Sequence, residues 1–420
     1  MINARKFVLY STTAGIFATA AYSTIAGVNI QLFYLLMILN LFLMMVLKRL
    51  WFPLGLFILM IILASSGILG ILRGTDSFAL SAKEFAGVTM CAFYFCCFFR
   101  TMDFKLVECF NLYARMAYWV AILGIVIYPV GLALTYHYRL ASVFTEPSAF
   151  VFTCIPALYF FADQWQRHRT YGREFLVMLV AFVLAESSNG FIGILLGIAI
   201  FLMRYRRARL AMPFILIIVG TAIYTFSADV QVRSDDSLQA LQGGDLTGTN
   251  MSTWALFSNF FVAERVFEVH PFFGNGLGSH PLSYKKYIGD VTGYEFFAGS
   301  GEGLNATDAN SLALRVLSDM GLVGFAMVLW FLWKYRPTGD SELDTMSKGI
   351  WLYFFLRLLR GGQYFLNEQY FFTLFYVFSH MKTHKLLLVE AHRERENRGS
   401  VLGNFPLIRG GPVLQQIDHS

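Results

Sequence analysis

Residues 51–72 read WFPLGLFILMIILASSGILGIL, twenty-two positions without one charge. A run this long and this apolar matches the hydrocarbon core of a bilayer, which a helix of about 20 residues crosses. It is apolar on every face, whereas a surface helix of a soluble protein carries one apolar stripe. Similar runs recur on both sides of it. They predict spans at 7–27, 30–47, 51–72, 84–99, 116–136, 147–163, 174–187, 189–203, 210–226, 311–333, 349–363 and 366–381. The expected fold is an all-α polytopic membrane protein with about twelve transmembrane helices and one large extracytoplasmic loop. Two breaks decide the count. Ser187-Ser188-Asn189-Gly190 and Arg360-Gly361-Gly362-Gln363 are each taken as tight hairpins rather than kinks.

Composition agrees. Of 420 residues, 56% are hydrophobic and only 14% are charged, where soluble domains carry about 25%. The 43 Phe and 21 Tyr suit lipid-facing and interfacial surfaces. The five cysteines, Cys91, Cys96, Cys97, Cys109 and Cys154, show no metal-ligand spacing and are expected to be small packing residues. The N-terminal Arg5-Lys6 and the apolar run after it are taken as an uncleaved first helix rather than a signal peptide.

Charge gives the orientation. With the N-terminus inside, most of the 33 Lys and Arg fall on cytoplasmic segments, as the positive-inside rule requires. Arg73, Lys83, Arg139, Arg233, Arg265, Lys285 and Lys286 fall outside, and Arg315, Arg357 and Arg360 sit within or at the edge of spans. Both termini are therefore expected in the cytoplasm. The net charge of +6 is a topology signal and gives no reason to invoke nucleic acid.

The organisation expected is helices 1–9 over 1–226, a large loop over 227–310, helices 10–12 over 311–381 and a cytoplasmic tail over 382–420. A loop of this length is usually functional. Residues 251–269, with Trp254, Phe257, Phe261 and Phe267 among polar neighbours, predict an amphipathic helix on the membrane surface. Gly274-Asn-Gly276-Leu-Gly278 is taken as a structural turn.

Arginines on the outer side carry the chemistry. The positive-inside rule disfavours them there, a charge near lipid needs a partner, and a guanidinium fork fits phosphate oxygens. Arg139, Arg233, Arg265, Arg315, Arg357 and Arg360 all lie at that face. Glu146-Pro147 reads as a helix start, with Glu146 also a candidate catalytic or sugar-binding carboxylate. His270, near Arg265, is the second candidate, beside Glu264, Glu268, His280 and Asp319. Arg315 and Asp319, four apart on one helix face, either neutralise one another or line an anion pocket. No Walker loop, Rossmann fingerprint or metal motif is present, so no cofactor and no metal is expected.

Phe144-Thr-Glu146-Pro147-Ser148-Ala-Phe150 resembles the F-x-E-P-x-x-F stretch of the polymerases that build bacterial O-antigen and related surface polysaccharides. These Wzy-type proteins share a superfamily with the O-antigen ligases. Arg139 shortly before Pro147 is similar to an arginine of the ligases. Arg265, ten residues, then Gly276 is similar to a loop pattern of the polymerases. Asn310-Ser311, nine residues, then Gly321-Leu-Val-Gly324 resembles the ligase pattern H-[NSQ]-x9-G-x-x-G-T, with Asn310 for the histidine and Phe325 for the threonine. The missing histidine argues for polymerase over ligase.

The resemblance implies a GT-C-like fold in the bacterial inner membrane. It implies an activity that joins undecaprenyl-pyrophosphate-linked oligosaccharide repeats at the outer face, without metal. Glu146, Arg265 and His270 would then be catalytic, with Arg139, Arg233, Arg315, Asn310, Arg357 and Arg360 holding substrate or pyrophosphate. Membrane lipid, a chain-length regulator and a flippase are the partners it suggests. A ligase is the alternative. A lipid-linked oligosaccharide transporter is the other, but no internal repeat is evident and the ionisable residues gather at one face. Sugar, linkage and stereochemistry are not legible.

Overall fold

The computed structural model describes residues 4–384 apart from 26–27, 136–137, 243–245, 292 and 298–302. The tail expected over 382–420 lies almost entirely outside the described residues. Among the described residues the regular structure is helical except for one hairpin. Its elements are α1 (Ala4–Phe17), β1 (Tyr22–Ile25), β2 (Val28–Gln31), α2 (Leu32–Val46), α3 (Leu54–Leu72), α4 (Phe78–Thr101), α5 (Leu106–Thr135), α6 (Pro147–His168), α7 (Gly172–Leu184), α8 (Ser188–Met203) and α9 (Arg206–Phe226). Then come α10 (Ala228–Leu241), α11 (Met251–Val269), α12 (His280–Tyr287), α13 (Tyr294–Phe297), α14 (Leu312–Lys334) and α15 (Glu342–Leu359). Residues 369–384 form a last helix, α16.

The hairpin corrects the all-α expectation. The first span was expected to reach residue 27, but α1 stops at Phe17, and β1 pairs antiparallel with β2 from Tyr22↔Gln31 to Ile25↔Val28. The reason is local: Ser23, Thr24, Ile25, Val28 and Ile30 include four β-branched residues, which favour a strand over a helix.

Among the described residues five helices are long and apolar enough to cross a membrane, at Leu54–Leu72, Phe78–Thr101, Leu106–Thr135, Ala208–Thr225 and Leu312–Lys334; α2 and α8 are shorter apolar helices. The protein is therefore an integral membrane protein. Helices pack here by close contact rather than by hydrophobic drive, since lipid is as apolar as a core. Gly349 shows it: a Cβ there would stand 2.7 Å from the Pro156 carbonyl oxygen, so α15 crosses α6 backbone to backbone. Aromatic rings fill the centre, with Phe99, Phe110, Tyr113, Phe371 and Phe375 all buried and in edge or stacked contact. All five cysteines are buried free thiols, as expected of packing residues.

Contacts sort the connections into two ends. At one end Asp103 pairs with Arg5 (2.6 Å) and Arg49 (3.0 Å). At that end too, Asp163 is held by Arg167 (2.8 Å), Arg204 (3.0 Å) and the Thr345 hydroxyl (2.9 Å). At the other end Arg73 donates to the Gly274 carbonyl (3.2 Å), Arg139 to that of Glu186 (2.7 Å) and Arg360 to that of Ser252 (3.0 Å). Both doubtful breaks are hairpins. Arg204, just past α8, returns to Asp163 near the end of α6, from which α7 set out. Ser379 on α16 meets Ser347 at the start of α15 (2.9 Å).

Helix α11 has two faces. Trp254 and Val262 are fully buried and pack with Leu246, Tyr284, Ile288 and Val291 into a second, small core. Its polar Ser258 and Asn259 are also fully buried, while Phe260, Phe267 and Val269 are exposed on the other side.

Candidate active site

Three arginines meet at the end that carries the long loop. The turn between α7 and α8 is the platform. Glu186 takes a left-handed conformation (φ 45°), so the chain reverses sharply and α8 begins at Ser188 with no side-chain cap from Ser187. Free N–H groups at a helix start favour anions. Arg139 donates to the Glu186 carbonyl (2.7 Å), and Arg233 reaches the Ser188 hydroxyl (3.4 Å). Arg360 lies close enough to Arg233 for the two charges to repel. Arg360 donates to the Ser252 carbonyl (3.0 Å) and, with the Asn310 amide oriented to satisfy its neighbours, to the Asn310 side-chain oxygen (2.7 Å), which also accepts from the Leu256 N–H (3.1 Å). All three guanidiniums are half-buried. Among the described residues no carboxylate lies within ion-pair distance of Arg360.

Neighbouring positions frame this group. Arg357 stacks on Phe152 and donates to the Gln363 carbonyl (2.6 Å) and the Gln369 side chain (3.3 Å). Glu146 is the N-cap of α6, exposed, with no side-chain cap hydrogen bond, and Pro147 opens the helix. The start of α6 reaches the α8 start through Val151, 3.2 Å from where a Gly190 Cβ would be. Leu140 also pairs with the Leu184 carbonyl (3.0 Å), which lays segment 139–146 beside the platform.

Arg265 and His270 are not drawn into the group. Arg265 sits exposed on α11, paired with Glu268 (2.9 Å) and resting on Phe261. His270 ends α11, and burial, with the charges of Arg73 and Lys286, lowers its pKa from the usual value.

Arg315 is engaged elsewhere. It is 3% exposed, bonded to Glu84 (2.9 Å), beside Asp319 (3.5 Å), on the face of Tyr364 and donating to the Gly362 carbonyl (3.3 Å). Asp319 in turn accepts from Tyr364 (3.0 Å), Ser279 (3.2 Å) and the His280 N–H (3.0 Å). This favours the self-neutralising alternative for Arg315 and Asp319: the cluster ties α4, α12, α14 and the 360–364 segment together, and no face of the guanidinium remains for a phosphate. Through Gly362 it also fixes the strip that carries Arg360. His280 sits in the same cluster, fully buried, its Nε2 against Asn259 (2.9 Å). Burial, helped by the Arg315 charge, pushes its pKa down to about 3.

Sequence reasoning passed over Glu84, Asn259 and Tyr364. Glu84 had a signal: a carboxylate inside an apolar helix is rare and calls for a partner. Asn259 and Tyr364 had none, because only the tertiary contacts give them a role. The Gly321-Leu-Val-Gly324 spacing also acquires a cause. α14 breaks at Gly321 (φ 63°, ψ −158°), and a Cβ there would lie 2.5 Å from the Phe272 backbone. Among the described residues no group of His, Cys, Asp or Glu could hold a metal ion.

No curated protein matches the chain. A family model does: residues 175–329 match that of the O-antigen ligases, Wzy_C. The match runs from α7 into α14 and includes the α7–α8 platform, Arg233, Arg265, Asn310 and the Gly321–Gly324 break, while Arg139, Glu146, Arg357 and Arg360 lie outside it. Over residues 175–329 the protein is thus similar to the O-antigen ligase family, whose members transfer glycans.

Proposed function

We propose that the protein is a polysaccharide polymerase that joins lipid-linked oligosaccharide repeats at the outer face of a bacterial inner membrane. The observation that carries this is the placement of Arg139 and Arg233 on the uncapped start of α8, with Arg360 beside Arg233 and held by Ser252 and Asn310, in a chain similar over residues 175–329 to the O-antigen ligase family. In this reading twelve helices cross the bilayer, both termini are cytoplasmic, and segment 227–310 is the outer loop.

A hydroxyl oxygen of the acceptor sugar attacks the anomeric carbon of the donor glycan. The bond from that carbon to the undecaprenyl pyrophosphate oxygen breaks, and the lipid pyrophosphate leaves with the electron pair. Charge builds on the pyrophosphate as the bond opens, and preorganised cations there lower the barrier. Arg139, Arg233 and Arg360 supply that charge. Glu146, exposed and uncommitted to a cap, takes the hydroxyl proton. Arg357 and Arg315 position this strip, while Arg265, paired with Glu268, and His270 stand apart from the reacting bond.

Asn310 favours polymerase over ligase. Where the ligase pattern has a histidine, an amide cannot exchange a proton near neutral pH, and here it serves to orient Arg360. The matched model's own description as O-antigen ligase favours the second reading, transfer of finished chains to another acceptor. A glycan ladder gel of a deletion strain separates the two. Single repeats on the cell-surface acceptor, with the ladder restored by the wild-type protein, are expected. Long chains left on the lipid carrier would make the protein a ligase instead.

A further inference from the structure

The break in α14 is filled by another part of the chain. Pro271 and Phe272 offer their carbonyls to the N–H groups of Leu322 (2.8 Å) and Val323 (3.0 Å). Asn275 and Gly276 return their N–H groups to the carbonyls of Ser318 (2.9 Å) and Asp319 (2.8 Å). Segment 271–276 therefore replaces the helical bonds that Gly321 interrupts. Irregular backbone inside a bilayer is tolerated only where its polar groups are satisfied in this way.

The depth of this splice follows from the helix. Gly321 is nine residues past Leu312, the first residue of α14, which places it about 13 Å along the helix at 1.5 Å per residue. Two other apolar helices hold the segment below their ends. Gly276 is packed on the Gly70 backbone of α3, two residues before its end, and the Leu277 carbonyl accepts from Ser81 of α4 (2.9 Å). Leu277 itself is buried in the main core. Yet Phe272 and Phe273 are 60% and 50% exposed, alongside exposed Leu322 and Val323. Two aromatic rings at this level, next to lipid-facing side chains of an apolar helix, cannot face water without a large hydrophobic cost.

We propose that residues 271–276 are a re-entrant segment of the large loop and that Phe272 and Phe273 are seated in the acyl chains of the outer leaflet. Their partner is the lipid bilayer itself. The loop is then anchored at its middle as well as at its two ends, and α11 and the strip bearing Asn310 are held at fixed height above the membrane. This is independent of whether the enzyme is a polymerase or a ligase.

The test uses the full-length protein in phosphatidylcholine–phosphatidylglycerol vesicles. The native cysteines are all buried, so a thiol-reactive environment-sensitive fluorophore is placed at Phe273→Cys, or at Phe272→Cys should the first variant not fold. Lys285→Cys, exposed on α12, is the control. The label at 273 is expected to lose roughly half its emission to lipids spin-labelled at mid-chain and to be insensitive to aqueous iodide, with the reverse at 285. Iodide quenching at 273 equal to that at 285 would place the segment in water and overturn the proposal. Protection from both quenchers would mean that protein, such as a second copy, covers the face, and would overturn it equally.

Discussion

Arg204 and Arg360 sit at opposite ends of the helix bundle and are held in opposite ways. Arg204 bonds to the buried carboxylate of Asp163 (3.0 Å) and to Asp340, which Arg167 and Lys348 also contact. Three cations share two carboxylates, and the charges are largely spent on one another. Arg360 is held by the Ser252 carbonyl and the Asn310 amide, which orient a guanidinium without neutralising it. The first arrangement fastens α6, α8 and α15 together. The second leaves Arg360 with no carboxylate within ion-pair distance among the described residues. Counting arginines at each face does not separate these cases; the chemistry of their partners does.

The contrast is sharpened most by Arg360→Ala. Removing one preorganised cation should lower glycan transfer about a hundredfold or more, measured on purified lipid-linked repeats with protein level and melting temperature held near wild type. Arg265→Ala should leave transfer close to normal in the same assay, since its partner is an exposed neighbour on its own helix. Equal losses for the two would break the distinction drawn between the platform and the loop surface.

Asp163→Asn should act in the other currency. Removing one partner of a buried ion network costs about 3–5 kcal/mol, read as a fall in melting temperature, while transfer per folded molecule is kept. Lost transfer with unchanged melting would move the Asp163 end into the catalytic machinery and collapse the comparison.

The smallest effect is set by His280. Its folded pKa is lowered from 6.5 to about 3, so between those values the unfolded chain takes up a proton that the folded chain refuses. Stability is complete above 6.5 and is lost as the pH falls toward 3, by about 2 kcal/mol at pH 5. His280→Gln keeps an amide to meet Asn259 and removes the titration. Its melting temperature should vary less than that of the wild type between about pH 7 and about pH 5; an identical profile would assign the acid sensitivity to other groups.

Much of the plan was legible along the chain. The apolar runs placed the helices, and the turns at 187–190 and 360–363 are hairpins as their polar, glycine-bearing composition suggested. Bounds failed where a strand-forming run followed α1, because hydropathy alone does not distinguish an apolar strand from an apolar helix. Arg139, Arg233 and Arg360 were visible as arginines outside the expected cytoplasmic segments, and Asn310 through a motif; the structure bonds Asn310 to Arg360. Arg315 was visible for the same reason and turned out to be consumed by Glu84 and Asp319.

The sequence by itself determined that this protein lives in a membrane and where most of its helices run. These follow from the length of apolar runs and from spacing, which are local properties. Only the tertiary structure decided that Arg315 is consumed by Glu84 and Asp319, that one face of α11 packs into a second small core, and that segment 271–276 repairs the break at Gly321. Each depends on a partner supplied by a distant part of the chain, such as Glu84 for Arg315 or Phe272 for Val323, and no local pattern encodes which distant group arrives.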